Sequence, residues 1–582
     1  MVRSKRIKEL LIVAAILFGY CLLLNSVNFI SYFKDGCLLG TKLWQDTSYH
    51  LMRLQSICDG LRGGQFPVKI YPNTLNGYGY ASPLFYPDLF LYLPASWMLC
   101  GMELGLAYCC FLLLLSFGGT FFFYLFAKKI CKKTFYAVVA AGLYLAGNYT
   151  YSVFFYMNAV GQASAACFSP LLLLGIYNML REDFSKPWLI LLGVLGITFS
   201  HTISLFLWGI ALVVIVLVCF RKCILRPVWW KKVGIMIVLY LGISSAYFFP
   251  FAEQFFTTDF YQAVSPWAKL SQQATYILAI FIRGGDAPLT SRVVEYSIGM
   301  LVPLSFLLRF FVRKGESNRR RLFFVDLMIG AVLLSQLLAS SLFPWKFFEN
   351  TIFNAIQFPS RILMLTAPLS ALSVALILEE FSLRPKKLPV KAIAAVLSVV
   401  LLAGTAVFDC IFLPPEGKTS LDTKDLYSYV GGGEWYPVYE DCYGTDGKGN
   451  PIVYVASTSD LSVRTKTGKK VDYEREENSL TIRFEAKAGE TYRIPLLYYL
   501  GYGAENEGEE VTVEHDGYGR MEVTAKKDGT MTISYCGTPI QTVSYVLSPV
   551  ALVGACAYYA VSFYRKRKND RFKSPGHHQE SV

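Results

Sequence analysis

The chain has 582 residues, of which 54% are hydrophobic and 15% aromatic, and its mean hydropathy is +0.40. This composition excludes an ordinary soluble globular protein and indicates a polytopic membrane protein. The formal net charge is +13, but the Lys and Arg clusters lie beside apolar stretches. They therefore indicate membrane topology rather than nucleic-acid binding. The sequence contains no nucleotide-binding glycine motif and no HExxH motif, which argues against nucleotide-driven work and zinc proteolysis.

The N-terminal segment combines a basic start, Met1 to Arg6, with an apolar run to about Leu24. No small-residue cleavage site follows, so we expect an uncleaved first membrane span. With the length needed to cross about 30 Å of hydrocarbon, the sequence predicts about twelve spans. They lie at residues 8–28, 104–126, 134–147, 161–180, 187–199, 202–220, 232–250, 296–313, 323–341, 361–379, 390–410 and 546–563.

The positions of Lys and Arg test this arrangement. The basic clusters share one side of the membrane only if the apolar piece from Leu84 to Cys100 does not cross. That piece contains Pro87 and Pro94, which favour an interfacial or re-entrant segment. We therefore expect a multi-pass protein of the cytoplasmic membrane with both termini in the cytosol. The long loops, beginning with 29–103, would then face outside.

A membrane domain at 1–410 is followed by a section, 411–545, whose composition changes. Polar and apolar residues alternate there, as in Leu480-Thr-Ile-Arg-Phe484, with Gly-rich turns between the alternating runs. Period two with recurring turns predicts a small extracytoplasmic β-sandwich. A last membrane helix at 546–564 and a basic cytosolic tail at 565–582, expected to be disordered, complete the predicted order.

The first outer loop carries the first candidate site. If residues 46–62 form a helix, Asp46, His50 and Arg53 lie at i, i+4 and i+7 and share one face. A carboxylate, an imidazole and a guanidinium would then point the same way. This favours a catalytic role for Asp46 and substrate binding by His50 and Arg53. The alternative is an amphipathic helix that Asp46 caps, with Leu and Ile residues on its apolar side.

Other ionisable residues lie near the predicted outer boundary, where charge is costly and often marks a site. His201 occupies a hinge between two predicted spans, where the alternative is a turn residue bonded to backbone. Asp88 lies on the interfacial segment. Lys346 and Arg361 bracket a later outer loop, and the guanidinium of Arg361 suits a phosphate or carboxylate; its alternative is snorkelling to lipid headgroups. We interpret all four as substrate-binding candidates.

Five stretches carry a resemblance to known proteins, and together they extend over nearly the whole chain. They resemble a bacterial family of multi-span membrane proteins labelled as related to 6-pyruvoyl-tetrahydropterin synthase. The stretches are Asp46-Thr-Ser-Tyr-His-Leu-Met-Arg53, Gly64-Gln-Phe-Pro-Val68, Asn76-Gly-Tyr-Gly-Tyr-Ala-Ser-Pro-Leu-Phe-Tyr-Pro87, Gln357-Phe-Pro-Ser-Arg361 and Tyr498-Tyr-Leu-Gly-Tyr502.

Pterin chemistry does not fit these residues, because a pterin synthase needs a cluster of zinc-binding histidines and section 411–545 holds only His515. The architecture more closely resembles the GT-C glycosyltransferases. The shared features are many spans, a long first outer loop with an acidic residue soon after the first span, interfacial helices and a C-terminal outer domain. The Pro83-Leu-Phe-Tyr86 piece is similar to a proline-containing segment that some of them carry in that loop.

The resemblance implies transfer of a sugar from a polyprenyl-phosphate carrier to an extracytoplasmic glycan, lipid or protein. Asp46 would match the first-loop acid, as general base or acceptor-positioning group. Arg361, with Lys346 or His201, would stabilise the leaving phosphate. Some GT-C enzymes place two acidic residues around a divalent metal ion. No second acid is clearly placed in this sequence, so metal use is left open and no other cofactor is expected.

Two other classes of protein compete with this interpretation. A flippase or transporter of lipid-linked sugars would need charges deep in its spans, and it would tolerate loss of Asp46 if its path lay elsewhere. A non-catalytic envelope-assembly protein would tolerate loss of both Asp46 and Arg361. A transferase would tolerate loss of neither, so these two residues discriminate among the three classes.

Overall fold

The computed structural model describes residues 2–40, 46–265, 269–277, 299, 301–383, 388–412, 417–428, 434–446, 449 and 451–572. Within these residues the chain forms a helical bundle, and a β-rich region precedes the last helix. The protein is thus a polytopic helical membrane protein with a C-terminal β-rich region.

Nineteen α-helices lie in the described part of the chain. They are α1 (Val2–Asp35), α2 (Asp46–Arg62), α3 (Ser82–Phe85), α4 (Tyr92–Leu99), α5 (Leu104–Lys128), α6 (Thr134–Ala146), α7 (Asn148–Tyr151), α8 (Val160–Arg181), α9 (Trp188–Thr198), α10 (Thr202–Val218), α11 (Pro227–Thr257), α12 (Tyr261–Val264), α13 (Leu270–Gln273), α14 (Leu301–Ser305), α15 (Arg319–Ala339), α16 (Leu363–Leu383), α17 (Leu388–Phe412), α18 (Thr423–Ser428) and α19 (Pro539–Phe572). Short 3₁₀ segments and one π-helical segment, Ser152–Tyr156, connect some of them.

Eight helices in the described residues are long and apolar enough to cross a membrane. They are α1, α5, α8, α11, α15, α16 with the turn before it, α17 and α19. Three further predicted spans form the shorter helices α6, α9 and α10. The predicted span at 296–313 is partly outside the described residues, and its described part is α14 and a 3₁₀ segment, Phe306–Phe311. Membrane insertion agrees with the sequence prediction, whereas twelve complete spans are not confirmed.

Two of the shorter helices, α6 and α9, pack deep in the bundle because small residues let backbones approach closely. Helices α8 and α9 show this most clearly. A Cβ atom at Gly193 would lie 2.7 Å from the Cα of Leu172, so the glycine is what permits this contact. Helix α6 contacts α5, α16 and α17 and is buried over most of its length.

The apolar piece from Leu84 to Cys100 forms part of α3, a 3₁₀ turn at Leu89–Leu91 and the eight-residue helix α4. At 1.5 Å per residue α4 extends about 12 Å, which is too short to cross a bilayer. The structure therefore agrees with a segment that does not span the membrane.

Sixteen short strands lie in the described residues. They are β1 (Leu38–Gly40), β2 (Asp259–Phe260), β3 (Gly417–Thr419), β4 (Pro437–Val438), β5 (Tyr443–Thr445), β6 (Pro451–Val453), β7 (Val463–Thr465), β8 (Lys470–Val471), β9 (Tyr473–Arg475), β10 (Ile482–Ala486), β11 (Thr491–Leu497), β12 (Tyr502–Asn506), β13 (Glu509–Val511), β14 (Val513–His515), β15 (Arg520–Thr524) and β16 (Gly529–Tyr535).

Ten of these strands form two five-stranded antiparallel sheets, ordered β13-β12-β16-β10-β9 and β14-β15-β11-β7-β8. The inward residues of β10 are buried and its outward residues are exposed, as the period-two pattern predicts. The sheets face each other, since the ring of Phe484 on β10 lies 4.9 Å from that of Tyr492 on β11. This is the predicted sandwich.

Section 411–545 is nevertheless not an independent unit. Strand β3 pairs with β1, and β4 pairs with β2. Section 411–545 therefore shares backbone hydrogen bonds with loops of the membrane domain. The sandwich also docks on the first long loop, where Arg475 donates to the carbonyl oxygen of Pro72 at 2.8 Å. Gln254 at the end of α11 exchanges two hydrogen bonds with the backbone of Leu500.

The structure differs from the amphipathic alternative for α2 and from the expected disorder of the tail. Helix α2 is not amphipathic with a solvated face, because His50, Arg53 and Asp59 are buried along with its apolar residues. Surrounding elements, mainly α4 and α18, cover it on several sides. The tail expected to be disordered from residue 565 remains helical to Phe572, since Lys and Arg are good helix formers. Residues 573–582 lie outside the described part of the chain.

Candidate functional site

A cavity of about 300 Å³ lies where α2, the end of α3 and the starts of α8 and α10 meet the turn before α16. Its walls contain acidic, basic and histidine residues from four distant parts of the chain. These are Asp46, His50, His201, Arg361 and Glu434. Four of them were predicted from the sequence as site residues, so the structure brings part of the predicted set into one place.

The remaining three predicted residues lie elsewhere. Arg53 and Asp88 pair with each other behind the cavity wall. Lys346 lies on a 3₁₀ turn at Trp345–Phe348; its side chain is exposed and it is not among the cavity residues. The three residues predicted to share one face of α2 therefore do not all line the cavity. Asp46 and His50 line it, whereas Arg53 lies behind it and contacts His50.

Asp46 is the first residue of α2. Its carboxylate makes no hydrogen bond to another described residue, although the positive end of the helix dipole favours an acid there. Burial raises its pKa to about 6, and the nearby positive charge of Arg361 opposes that rise. A carboxylate with such a pKa is poised to accept a proton near neutral pH.

Arg361 lies in the 3₁₀ turn Pro359–Ile362 that leads into α16. Its Nη1 atom donates to the side chain of Gln357 at 2.7 Å and to the carbonyl oxygen of Ile356 at 3.1 Å. The ring of Phe358 lies 4.9 Å from the guanidinium carbon. These contacts hold the side chain by one edge, while the buried Nε has no hydrogen-bond partner among the described residues. Arg361 therefore has an unpaired cationic donor at the cavity wall.

The two histidines of the cavity have assigned tautomers. Nδ1 of His201 accepts from the backbone N–H of Ser204 at 3.2 Å and so caps α10. Nδ1 of His50 lies 3.0 Å from Nη1 of Arg53, which can only donate. In each neutral ring the proton is then on Nε2. Burial and the charge of Arg53 lower the pKa of His50 well below its usual value, so His50 supplies a neutral N–H donor.

Arg53 is the centre of a buried support behind the cavity. Only 1% of its surface is exposed, and it bonds Asp88 and the carbonyl oxygen of Pro87, the latter at 2.8 Å. Its guanidinium carbon lies 3.9 Å from the ring centroid of Tyr86, and Asp88 also accepts from the hydroxyl of Tyr71. Arg53 therefore fixes both His50 and Tyr86, which are cavity residues.

Tyr86 approaches the start of α8 closely. A Cβ atom at Gly161 would lie 2.0 Å from the Tyr86 hydroxyl oxygen, which no packed structure allows. The rings of His50 and His201 lie 6.1 and 5.8 Å from the Tyr86 ring. Glycine at 161 thus leaves room for the ring of Tyr86, which lies close to both histidines.

Comparison with known proteins identifies no family: a search of family models finds no match. An uncharacterized protein of Lactococcus lactis subsp. cremoris (strain MG1363) is 26% identical over 164 residues. That match covers 27% of this chain and 27% of the relative. It records a distant similarity to a protein of unassigned activity, so the argument for function comes from the cavity.

Sequence reasoning missed one wall of the cavity. Glu434 and Trp435 line it, as does Gln262 at the start of α12. The available signal was the run Gly431-Gly-Gly-Glu434-Trp-Tyr-Pro437, in which an acid and two aromatic residues follow three glycines. Nothing local to Gln262 marks it, since its position depends on the pairing of β2 with β4.

Metal binding at the cavity would depend on its acidic residues. The described part of the chain contains no group of three or more His, Cys, Asp or Glu residues that could hold a metal ion. Two carboxylates, Asp46 and Glu434, nevertheless line the same cavity. Mg²⁺ is commonly bound through one or two carboxylates together with waters and substrate phosphates. The pair fits that limited role and does not form a complete protein cage.

Proposed function

We propose that the protein is a membrane glycosyltransferase of the GT-C type that transfers a sugar from a polyprenyl-phosphate donor to an extracytoplasmic glycan, lipid or protein. One observation carries this proposal. Asp46, with a pKa near 6, and Arg361, with an unpaired cationic donor, line one cavity. A base for an acceptor hydroxyl and a cation for a leaving phosphate are the two groups that this transfer needs.

The transfer can be written with these residues. The acceptor hydroxyl attacks the anomeric carbon of the sugar and gives its proton to Asp46. The bond from that carbon to the phosphate oxygen breaks, and its electron pair leaves with the polyprenyl phosphate. Arg361 pairs with the negative charge that develops on this phosphate. The Nε2–H groups of His50 and His201 are neutral donors in the same cavity and can bond oxygen atoms of the substrate without adding charge.

A divalent metal ion would be held by Asp46 and Glu434 and would supply further charge neutralisation at the phosphate. Arg53 and Asp88 act through the positions of His50 and Tyr86. Lys346 has no role in this scheme, because it is not among the residues that line the cavity.

The orientation of the protein is part of the proposal. At one end of the bundle Lys129 pairs with Glu182 at 2.7 Å, and Arg321 pairs with Glu380 at 2.6 Å, so several basic helix ends meet there. Helix α16 begins two residues after Arg361 and reaches this end at Glu380, about 26 Å along the helix axis. The positive-inside rule places the basic end in the cytosol. The cavity and the sandwich then lie outside the cytoplasmic membrane, where a lipid-linked donor meets an envelope acceptor.

A genetic experiment tests the proposal. A deletion strain is complemented with the parent chain, Asp46→Asn or Arg361→Ala at matched membrane levels, and envelope glycans are analysed by mass spectrometry. Exposed residues supply matched controls, Asp472→Asn for the carboxylate and Lys424→Ala for the cation.

We expect the parent and both controls to restore a glycan that the deletion lacks, and the two site variants to fail. Full restoration by Asp46→Asn and Arg361→Ala would show that this cavity does not perform catalysis. A lipid-linked sugar transporter or an envelope scaffold would then be the better description.

A further inference from the structure

One wall of the cavity is a ribbon made from two segments far apart in the sequence. Strands β2 and β4 pair through Asp259 with Val438 and Phe260 with Pro437. The ribbon continues beyond the strands, since the N–H of Gln262 donates to the carbonyl oxygen of Glu434 at 3.0 Å. These bonds hold the two segments together, and Gln262 and Trp435 on them line the cavity.

Two buried polar atoms of this ribbon have no hydrogen-bond partner among the described residues. They are the indole N–H of Trp435 and the side-chain oxygen of Gln262. Trp435 can only donate, and this oxygen can only accept. Buried polar groups are nearly always paired, so an unpaired donor and an unpaired acceptor on one cavity wall indicate a ligand that supplies both.

Trp435 cannot easily turn its N–H elsewhere. Its ring stacks on Phe85 with the centroids 4.4 Å apart and the planes at 5°, and Phe260 packs against both rings. The packing of the Trp435 ring therefore fixes the direction of its N–H. A hydroxyl group is both donor and acceptor, which makes a polyhydroxylated ring the matching ligand chemistry.

We infer that Gln262 and Trp435 form a hydroxyl-binding subsite that holds the sugar ring of the lipid-linked donor, while Arg361 holds its phosphate. This inference rests on the proposed function and adds the residues that select the sugar. A site built to bond a hydroxyl discriminates strongly against ligands that lack it, because its own polar atoms are then left unpaired. The ribbon would determine sugar specificity, and Arg361 would determine affinity for the lipid phosphate.

Binding measurements separate the two roles. The full chain is placed in nanodiscs of phosphatidylglycerol and phosphatidylethanolamine and titrated with polyprenyl phosphate. The titration is repeated with the same lipid esterified to glucose, galactose, N-acetylglucosamine or mannose. The proteins are the parent, Trp435→Phe, Gln262→Met and Arg361→Ala, and binding is read by native mass spectrometry. Trp435→Phe keeps an aromatic ring but removes the indole N–H, and Gln262→Met keeps an unbranched chain of similar length but removes the amide. A thermal melt confirms that each variant is folded.

We expect polyprenyl phosphate alone to bind the parent and the two ribbon variants equally, and Arg361→Ala weakly. At least one sugar ester should bind the parent about tenfold or more tightly than the bare lipid, in line with one or two hydrogen bonds. Each ribbon variant should lose most of that gain.

Retention of the full gain by both ribbon variants, or no gain with any sugar in the parent, overturns the subsite. Equal binding of polyprenyl phosphate by the parent and Arg361→Ala is a different result. It contradicts the phosphate role of Arg361 and with it the proposed function.

Discussion

Nη1 of Arg53 lies 3.0 Å from Nδ1 of His50, one helical turn away on α2. The guanidinium can only donate, so this contact assigns the imidazole proton to Nε2. A residue that never reaches the cavity thus decides which hydrogen-bonding group His50 offers to a ligand.

Replacing Arg53 tests this support. Arg53→Met leaves Asp88 buried without its cation, and we expect a loss of about 3–5 kcal/mol in the free energy of unfolding. Thermal unfolding in detergent measures it. The double variant Arg53→Met with Asp88→Leu removes both charges, so it should recover part of the lost free energy of unfolding. If the single variant is as stable as the parent, the ion pair does not support the cavity.

The raised pKa of Asp46 predicts a pH dependence. A general base must be ionised, so the transferase rate should fall as the pH drops through about 6 and be level above it. This fall is checked by measuring the rate of sugar transfer in proteoliposomes from pH 5 to 8 in roughly half-unit steps. Asp46→Asn should have little activity at any pH in this range, and Asp46→Glu should retain some activity with the fall displaced. An activity that rises as the pH falls below 6 would contradict the assignment.

Gly161 should not tolerate a methyl group. Because its Cβ would lie 2.0 Å from the Tyr86 hydroxyl, Gly161→Ala must displace that ring or the start of α8, and we expect a loss of transfer activity of about tenfold or more. Gly209→Ala is the matched control, since nothing lies within 4 Å of its Cβ position in α10. Helix propensity makes the control neutral or slightly stabilising. Equal activity of the two variants would show that the position of Tyr86 is unimportant.

We expect Glu379 to stabilise the fold without affecting the binding of the lipid donor. It is fully buried at the basic end of the bundle, where it pairs with Arg321 and accepts the backbone N–H of Lys133 at 2.6 Å before α6. Glu379→Ala leaves Arg321 paired with Glu380 but removes the acceptor of the Lys133 backbone N–H, and we expect a loss of about 1–3 kcal/mol in the free energy of unfolding. The KM for the lipid donor should be unchanged in protein that remains folded. A changed KM with unchanged stability would reverse this assignment.

The sequence predicted those parts of the fold and site that depend on local pattern. Hydropathy located the long helices, alternation located the sandwich strands, and the spacing from Asp46 to His50 placed both at one helix end. Arg361 was found because it begins a predicted span at the outer boundary, where a charge is costly and often marks a site. None of these inferences needed knowledge of distant contacts.

The remaining parts depend on such contacts. Gln262 and Trp435 meet only because β2 pairs with β4, and no local spacing records that pairing. Arg53 shares a sequence face with Asp46, yet Asp88 draws it into a buried ion pair. The burial of α2 on several sides also follows from its neighbours rather than from its own periodicity.

The ribbon has a consequence for how the protein is made. Asp46 and His50 precede most of the bundle in the sequence, whereas the wall that carries Glu434 and Trp435 follows α17. The cavity therefore lacks one side until the segment after α17 has been synthesised. A nascent or truncated chain that stops before β4 would hold the base and the cation without the surface that completes the site. Under the proposed function, activity therefore requires the second segment of the ribbon to be synthesised and to pair with the first.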